Sequence, residues 1–420
     1  MNKKKLVIVG LVVVVIVITV VSFLFFGRDN LLNENPSFGN NAPFGTPGEF
    51  TTGGLGSPEG TFSLEQNETF VVTSGETYAS LRKISDAPVS GAKIFVTGST
   101  TVIRFLEKAT GHVYETEIDT NLIRRITNTT IPKIEEAVWT RDPDTLILRY
   151  EKDGLIESFY ANISKGSSTS TTSELSTLEG VFLPQNILEL SMSEGGDRIA
   201  YLVSGNPSRI LISRPDGGNP SLVWTTPIQG WRISWASEST LSVATKASNT
   251  SSGFLYLLGM NGDLEKVLGN FNGLTGLVNP THTRVVYSEF LSGGLNFFNL
   301  NRESGLRNEM PFQILPEKCV WSRNNSEVLF CSVPSNPLVG DYPDIWYKGL
   351  TSFSDKIWSY SFETGETKLL ADLETLSGEK IDAIDLELSS DESLLLFRNK
   401  KDFTLWTLEL TDGAQPTINN

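Results

Sequence analysis

The chain has 420 residues, of which 49 are acidic and 34 basic, so its formal net charge is −15 at pH 7. Phosphate binding needs clustered Lys and Arg, and the only basic cluster is Lys3–Lys5. This balance argues against a nucleic-acid-binding protein. The two histidines and two cysteines lack zinc-site spacing, so we expect no metal and no cofactor.

Near the N-terminus, residues 6–26 read LVIVGLVVVVIVITVVSFLFF without a charge. A helix of this length spans a hydrocarbon core of roughly 30 Å. A cleaved signal peptide is the alternative, but the following SFLFFGRDN offers no small-residue cleavage site. Because Lys3–Lys5 precede the segment, the positive-inside rule places the N-terminus in the cytoplasm and residues 27–420 outside. Residues 1–26 are therefore predicted to be a cytoplasmic tip and a transmembrane anchor.

The next segment, residues 27–64, is rich in Gly, Pro, Asn and Thr and shows no apolar periodicity. Such a composition cannot bury enough apolar surface to offset the loss of chain entropy on folding. We predict a flexible tether with a root-mean-square reach of roughly 35 Å. At the other end, residues 411–420 (TDGAQPTINN) are predicted to be a disordered tail.

A repeated unit is clearest at residues 187–225, which read as four short strands joined by polar turns. Its first strand recurs along the chain at spacings of 53, 43, 43, 43 and 67 residues. Steps of about 40–45 residues are typical of a four-stranded propeller blade. The equivalent positions in these first strands are Trp139, Met192, Trp235, Val278, Trp321 and Leu388.

The number of blades follows from the two ends of the repeat region. A weaker four-stranded unit lies upstream at residues 88–127, whereas the last unit contains only three strands. The segment SLRKIS (80–85) resembles the fourth strands of other units, so we expect it to complete the last blade and cover its open edge. The sequence thus predicts an all-β fold over residues 80–410: a seven-bladed β-propeller of four-stranded antiparallel blades.

The stretches SEGGDRIAYL and ILISRPDGGNPSLVW carry a family resemblance. They resemble the TolB-type, WD40-like propeller repeat of extracytoplasmic bacterial proteins, and the predicted anchor is similar to that of membrane-anchored members. The resemblance covers about residues 80–410, although the Ser-Pro-Asp-Gly turn of the family is altered here to SEGGD, TRDPD and SSDES. It implies a propeller fold and an interaction surface rather than a reaction.

Cys319 and Cys331 lie on the first and second strands of one blade. A hairpin centred on Asn325 would pair Cys319 with Cys331 and Trp321 with Leu329. Directly opposite residues have Cβ atoms about 4.5–5.5 Å apart, which a local twist makes bridgeable. A disulfide and two buried free thiols both remain open at this point.

The 67-residue step arises from an insertion, residues 335–355, between the second and third strands of the sixth blade. Loops at this position lie on the propeller face that carries the inter-blade connections. Exposed aromatic rings beside a few charges suit contact with a protein or a glycan. The alternative is that the loop folds back and caps its own blade. The candidate binding residues are Asp341, Tyr342, Asp344, Trp346, Tyr347 and Phe353.

We assign no catalytic residue. The sequence has no Gly-x-Ser-x-Gly elbow, and its two histidines, His112 and His282, lie in turn regions on different blades. The expected function is a non-enzymatic, membrane-tethered interaction module of a bacterial envelope that binds an envelope protein. The alternative is a glycan-binding or glycan-cleaving propeller that uses carboxylates in its central channel.

Overall fold

The structure is a computed structural model that describes residues 81–98, 100–120, 122–165 and 175–410. The anchor predicted at residues 6–26, the tether at 27–64 and the tail at 411–420 lie outside these ranges. None of the helices in the described part of the chain has the length and apolarity needed to cross a membrane.

The described residues form seven antiparallel sheets of four strands each. The first strand in the chain, β1 (Leu81–Ser85), belongs to the last sheet. Blade 1 contains β2 (Val89–Thr97), β3 (Thr100–Glu107), β4 (Val113–Glu117) and β5 (Ile123–Arg125). Blade 2 contains β6 (Ile134–Trp139), β7 (Thr145–Lys152), β8 (Leu155–Ser164) and β9 (Thr177–Phe182). Blade 3 contains β10 (Ile187–Met192), β11 (Ile199–Val203), β12 (Ser208–Ser213) and β13 (Ser221–Thr226).

The remaining blades follow the same order. Blade 4 contains β14 (Trp231–Ser237), β15 (Thr240–Thr245), β16 (Ser252–Gly259) and β17 (Leu264–Asn272). Blade 5 contains β18 (Thr275–Val278), β19 (Arg284–Leu291), β20 (Gly294–Asn301) and β21 (Arg307–Glu309). Blade 6 contains β22 (Cys319–Trp321), β23 (Val328–Pro334), β24 (Asp355–Ser361) and β25 (Thr367–Asp372). Blade 7 contains β26 (Ala383–Leu388), β27 (Leu394–Asn399) and β28 (Leu405–Glu409), and β1 completes it.

The burial of the strands explains their sequence patterns. In the innermost strand of blade 4, Trp231 and Ile233 are buried and Arg232 is exposed, which is the two-residue period of a strand with one wet face. The second strand of blade 3, Ile199–Val203, is buried along almost its whole length. A strand that is covered on both faces can be apolar along its whole length, and the neighbouring blades cover both faces of this one.

The ring closes as the sequence predicts, because β1 pairs with β28 in blade 7. The register sets Leu81 opposite Leu408 and Lys83 opposite Trp406. Ile84 of β1 is buried against residues of blades 1 and 7. The N-terminal and C-terminal segments of the propeller therefore share one sheet, and the edge of β28 is covered.

The predicted register of the cysteine hairpin is also confirmed: Cys319 lies opposite Cys331, and Trp321 lies opposite Leu329. The two sulfurs are joined in a disulfide. The disulfide connects adjacent strands of blade 6, and both of its cysteines belong to the buried cluster that contains Trp321.

Two short α-helices interrupt the β structure of the described residues. Helix α1 (Asp344–Tyr347) lies in the insertion of blade 6, and a 3-10 turn (Pro316–Lys318) precedes β22. Helix α2 (Leu373–Ser377) connects β25 to β26. It begins at an N-cap aspartate, Asp372, that accepts a hydrogen bond from the Thr375 amide, and it ends at Gly378 with φ 73°.

The closure leads to a first prediction. We expect a chain that begins at residue 87, and so lacks β1, to lose hydrogen-exchange protection at the β28 amides, because β28 then becomes an open edge. A chain that begins at residue 80 is the matched control and keeps the protection. Equal protection of β28 in the two chains would contradict the closure.

Candidate functional site

The insertion of blade 6, residues 335–354, lies across the propeller face that carries the inter-blade connections. It contacts blade 5 through a bridge between Val339 and Gly294. It contacts blade 7 where Lys400 Nζ donates to the Trp346 carbonyl at 2.8 Å. A third contact, to Asn249 after β15, joins it to blade 4. The insertion therefore extends beyond its own blade and links four of the seven.

A buried ion cluster lies beneath the insertion. Lys318, at the end of the 3-10 turn, donates through Nζ to Asp355 Oδ2 at 2.8 Å, to Asp382 Oδ1 at 2.5 Å and to the Ala383 carbonyl at 2.8 Å. The side chains of Lys318 and both aspartates are fully buried. Because these residues come from blades 6 and 7, the cluster joins the two blades at the face that the insertion covers.

The same cluster fastens the insertion. Asp382 Oδ2 accepts a hydrogen bond from Trp346 Nε1 at 2.9 Å and another from the Phe353 amide at 3.1 Å. The Lys318 ammonium also lies 5.6 Å from the ring centroid of Trp346 and 5.3 Å from that of Phe353, within range of a cation–π attraction. Trp346 and Phe353 of the insertion are thus both tied to one buried charge.

The ammonium and the two carboxyl groups of the cluster depend on one another. Burial raises the pKa of Asp355 to about 7, and the attraction of Lys318 opposes that rise. Among the described residues, Asp355 Oδ1 has no hydrogen-bond partner. Removing one partner of a buried ion pair leaves an uncompensated charge, which typically costs about 3–5 kcal/mol. Lys318 is therefore required by both carboxylates.

Three of the predicted binding residues are inside the protein. Tyr342, Trp346 and Phe353 are only 7%, 5% and 7% exposed and pack around Leu338 and Leu315. The expectation that these rings are exposed is wrong, because the indole finds a buried acceptor and its ring stacks on Phe353 at an interplanar angle of 6°. These rings form the core of the insertion.

The two predicted aspartates also hold the insertion in place. Asp344 accepts hydrogen bonds from the Ser248 hydroxyl at 3.1 Å and from the Asn249 amide at 2.7 Å. Asp341 accepts one from Asn249 Nδ2 at 2.9 Å. Their carboxylates thus connect α1 to the loop that follows β15. In the sequence these acidic residues show no sign of a partner about 95 positions away.

Tyr347 is the predicted ring that reaches the surface, with 40% of the residue exposed. Its hydroxyl donates to Glu317. Desolvation in the surrounding cleft, followed by the charge of Glu317, raises the pKa of Tyr347 well above its ordinary value. The tyrosine therefore remains a neutral hydrogen-bond donor at physiological pH.

Beside Tyr347 lies a cleft of about 530 Å³ between α1 and the innermost strands of blades 4 and 5. Its charged and polar lining includes Arg232, Lys246, Thr275 and Glu317 from the blades and Lys348 from the insertion. Sequence reasoning missed these residues because they belong to three different repeats. The available signal was positional: the four residues from the blades each lie within two residues of a strand end on the insertion face.

A second cleft, of about 340 Å³, lies along the central channel. Its wall contains Lys93, Glu136, Arg323 and Glu387. Burial raises the pKa of Glu387 to about 7 against the opposing charges of Lys93 and Arg323, and desolvation lowers the pKa of Lys93. The channel thus contains a carboxyl group whose pKa is raised towards neutral pH. Within the described ranges no group of three or more His, Cys, Asp or Glu side chains is arranged to hold a metal ion.

No protein-family model matches this sequence, and no curated protein matches it. Similar solved structures include a chain of the mitotic checkpoint complex, at 12% identity and a TM-score of 0.47, over 91% of this chain and 100% of that one. The β-propeller domain of Cps50 (Swd1) from Myceliophteria thermophila has 10% identity and a TM-score of 0.45, and the match covers 79% of this chain and 100% of that one. TolB from Acinetobacter baumannii has 10% identity and a TM-score of 0.38, and the match covers 77% of this chain and 80% of that one. The seven-bladed fold of this chain rests on its own strand pairing.

The burial of the insertion rings leads to a second prediction. We expect Trp346→Ala to lower the free energy of unfolding by about 3–5 kcal/mol, because it empties a buried site and removes the indole donor from Asp382. Tyr347→Ala, at the exposed neighbouring position, should cost less than about 1 kcal/mol. Urea unfolding of the two variants measures both values. Equal stabilities would show that Trp346 is not part of a core.

Proposed function

We propose that the chain is a membrane-tethered, non-enzymatic interaction module whose propeller binds a protein partner outside the membrane. The uncharged segment 6–26 and the preceding Lys3–Lys5 support the tether and its orientation. The propeller supports the interaction role, because it presents a broad face built from many blades on a closed ring. On this proposal the partner is a protein of a bacterial envelope.

The observation that carries the proposal is the exposure of apolar side chains on the insertion. Val339 and Leu350 are 75% and 73% exposed, although the neighbouring rings of the insertion are buried. Val339 lies over blade 5, where it and the exposed Leu291 line a depression of about 340 Å³. Exposed apolar side chains that lie together, as Val339 and Leu291 do, are typical of protein-binding sites.

The way the insertion is held strengthens the argument. A loop that must become ordered on binding loses conformational entropy, which reduces its affinity for the partner. Here the Lys318 cluster and the Asp344 contacts fix the insertion before any partner arrives. Its exposed side chains are therefore presented in one arrangement.

A second candidate function is glycan recognition in the central channel. Its specific support is Glu387, a channel carboxyl whose pKa is raised to about 7 beside Lys93 and Arg323. A carboxyl group with such a pKa suits a general acid or a hydrogen-bond donor to a sugar hydroxyl. The interaction module is preferred because the most exposed apolar residues of the insertion lie away from this channel wall.

The tether is tested by fractionation. We expect the full-length chain to sediment with membranes and to resist extraction by salt, because a 21-residue apolar segment spans the bilayer. Deletion of residues 6–26 should move the protein to the soluble fraction. Membrane retention of the deleted chain, or salt extraction of the full-length chain, would contradict the tether.

The partner site is tested in membranes by chemical cross-linking of the full-length chain. We expect the double change Val339→Asp with Leu350→Asp to abolish a protein adduct, because it places charges in the apolar contact. Leu306→Asp is the matched control: Leu306 is also exposed, but it lies in the hairpin between β20 and β21.

The same proteins are then applied to a glycan array. An adduct that survives the double change would contradict the proposed site. Specific binding of a sugar, in the absence of any protein adduct, would favour the second candidate function instead.

A further inference from the structure

The cleft beside Tyr347 contains hydrogen-bond donors that the protein leaves unused. Arg232, Lys246 and Lys348 line it, and within the described residues none of these three side chains donates a hydrogen bond. The side chains of Arg232 and Lys246 are each 62% exposed. Their nearest carboxylate is that of Glu189, at 3.5 Å from Arg232 Nε and 3.8 Å from Lys246 Nζ. Both distances exceed those of charge-assisted hydrogen bonds.

The acceptors of the cleft, in contrast, are already occupied. Glu317 accepts from the Tyr347 hydroxyl through Oε1 and from the Thr275 hydroxyl through Oε2, the latter at 2.9 Å. Both carboxylate oxygens of Asp344 accept hydrogen bonds from Ser248 and Asn249. The acidic side chains are thus engaged with neutral donors, whereas Arg232 and Lys246 make only the longer ion pairs with Glu189.

From this contrast we infer that the cleft binds a small organic oxyanion, whose carboxylate or phosphate groups lie between Arg232, Lys246 and Lys348. Such a ligand supplies the acceptors that the cleft lacks. A volume of about 530 Å³ is in the usual range for a small-molecule site. The inference concerns a different surface from the exposed apolar side chains of the insertion and does not depend on the protein partner proposed above.

The surroundings favour a short-range, specific contact. The chain as a whole carries a charge of −15, which repels anions at a distance. Within the cleft, Ile233, Ala244 and Leu277 contribute apolar wall that lowers the local dielectric. The planar guanidinium of Arg232 matches a carboxylate or phosphate with two parallel hydrogen bonds.

Glu189 gives the inference an internal control. Its carboxylate lies between Arg232 and Lys246 and competes with any external anion for the same two cations. Replacing it with the neutral, nearly isosteric glutamine removes the competitor and leaves the cations in place. A purely structural role of the two cations predicts no gain in anion binding from this change.

The test is calorimetric titration of the full-length protein at low salt with citrate, galacturonate, galactose and inorganic phosphate. We expect galacturonate to bind and galactose not to bind, because the two sugars differ by the carboxylate. Citrate and phosphate distinguish the two sources of the oxyanion. Stronger binding of citrate indicates a carboxylate ligand, and stronger binding of phosphate indicates a phosphate ester. Affinity for whichever anions bind should fall as salt is added.

Four variants locate the site. Arg232→Ala and Lys246→Ala should each weaken anion binding about ten-fold, the usual effect of losing a hydrogen bond from a charged group. Glu189→Gln should strengthen it several-fold. Arg209→Ala, an exposed arginine on β12 of blade 3, should leave it unchanged. Thermal melts close to that of the unaltered protein confirm that each variant is folded.

Three results would overturn the inference. The first is that none of the anions binds at millimolar concentration in low salt. The second is that binding does not depend on the charges named above. In that case galactose and galacturonate bind equally, or Arg232→Ala and Glu189→Gln leave the affinity unchanged. The third comes from hexaglutamate as an additional probe: binding of this acidic peptide without binding of any small anion would show that the cleft is a peptide site.

Discussion

The arrangement of the insertion face depends on one buried charge. Lys318 forms ion pairs with both Asp355 and Asp382 away from water, and those carboxyl groups also accept hydrogen bonds from the Trp346 indole and two backbone amides. A buried ammonium without these acceptors would be strongly unfavourable, as would the carboxylates without the ammonium. The position of the insertion, the junction of blades 6 and 7 and the burial of the aromatic rings therefore follow from the same set of contacts.

The two candidate surfaces both result from this anchoring. Once three rings of the insertion are buried as its core, the large hydrophobic side chains that stay exposed on it are Val339, Leu350 and Tyr347. The position of α1 over blades 4 and 5 also encloses the cleft in which Arg232 and Lys246 face an open space. The insertion thus provides exposed apolar side chains and one wall of the cleft that contains Arg232 and Lys246.

Much of the fold was predictable from sequence because a propeller repeats one local pattern. Seven blades follow from the two-residue period in strands such as β14 and from the 43-residue steps. Closure by β1 follows because the last unit has only three strands of its own. The Cys319–Cys331 register was predictable for the same reason, since a short hairpin turn fixes which residues lie opposite each other.

The site was less accessible to sequence reasoning. An aromatic residue in a long loop reads as exposed unless its partner is known, and the acceptor for Trp346 is Asp382, 36 positions further along the chain. Likewise, Lys318 precedes an ordinary strand, and nothing local distinguishes it from a surface lysine. Arg232 and Lys246 each sit at a strand end in blade 4, and only the path of the insertion brings them beside Tyr347 and Lys348.

Native-state hydrogen exchange of the Phe353 amide and the Trp346 indole, in the full-length protein, tests most directly whether the Lys318 cluster holds the insertion. Both groups donate to Asp382, so we predict that they exchange as slowly as the amides of the neighbouring strand β24. Exchange of both groups as rapid as that of exposed turns would show that the Lys318 cluster does not hold the insertion, and the account would be contradicted.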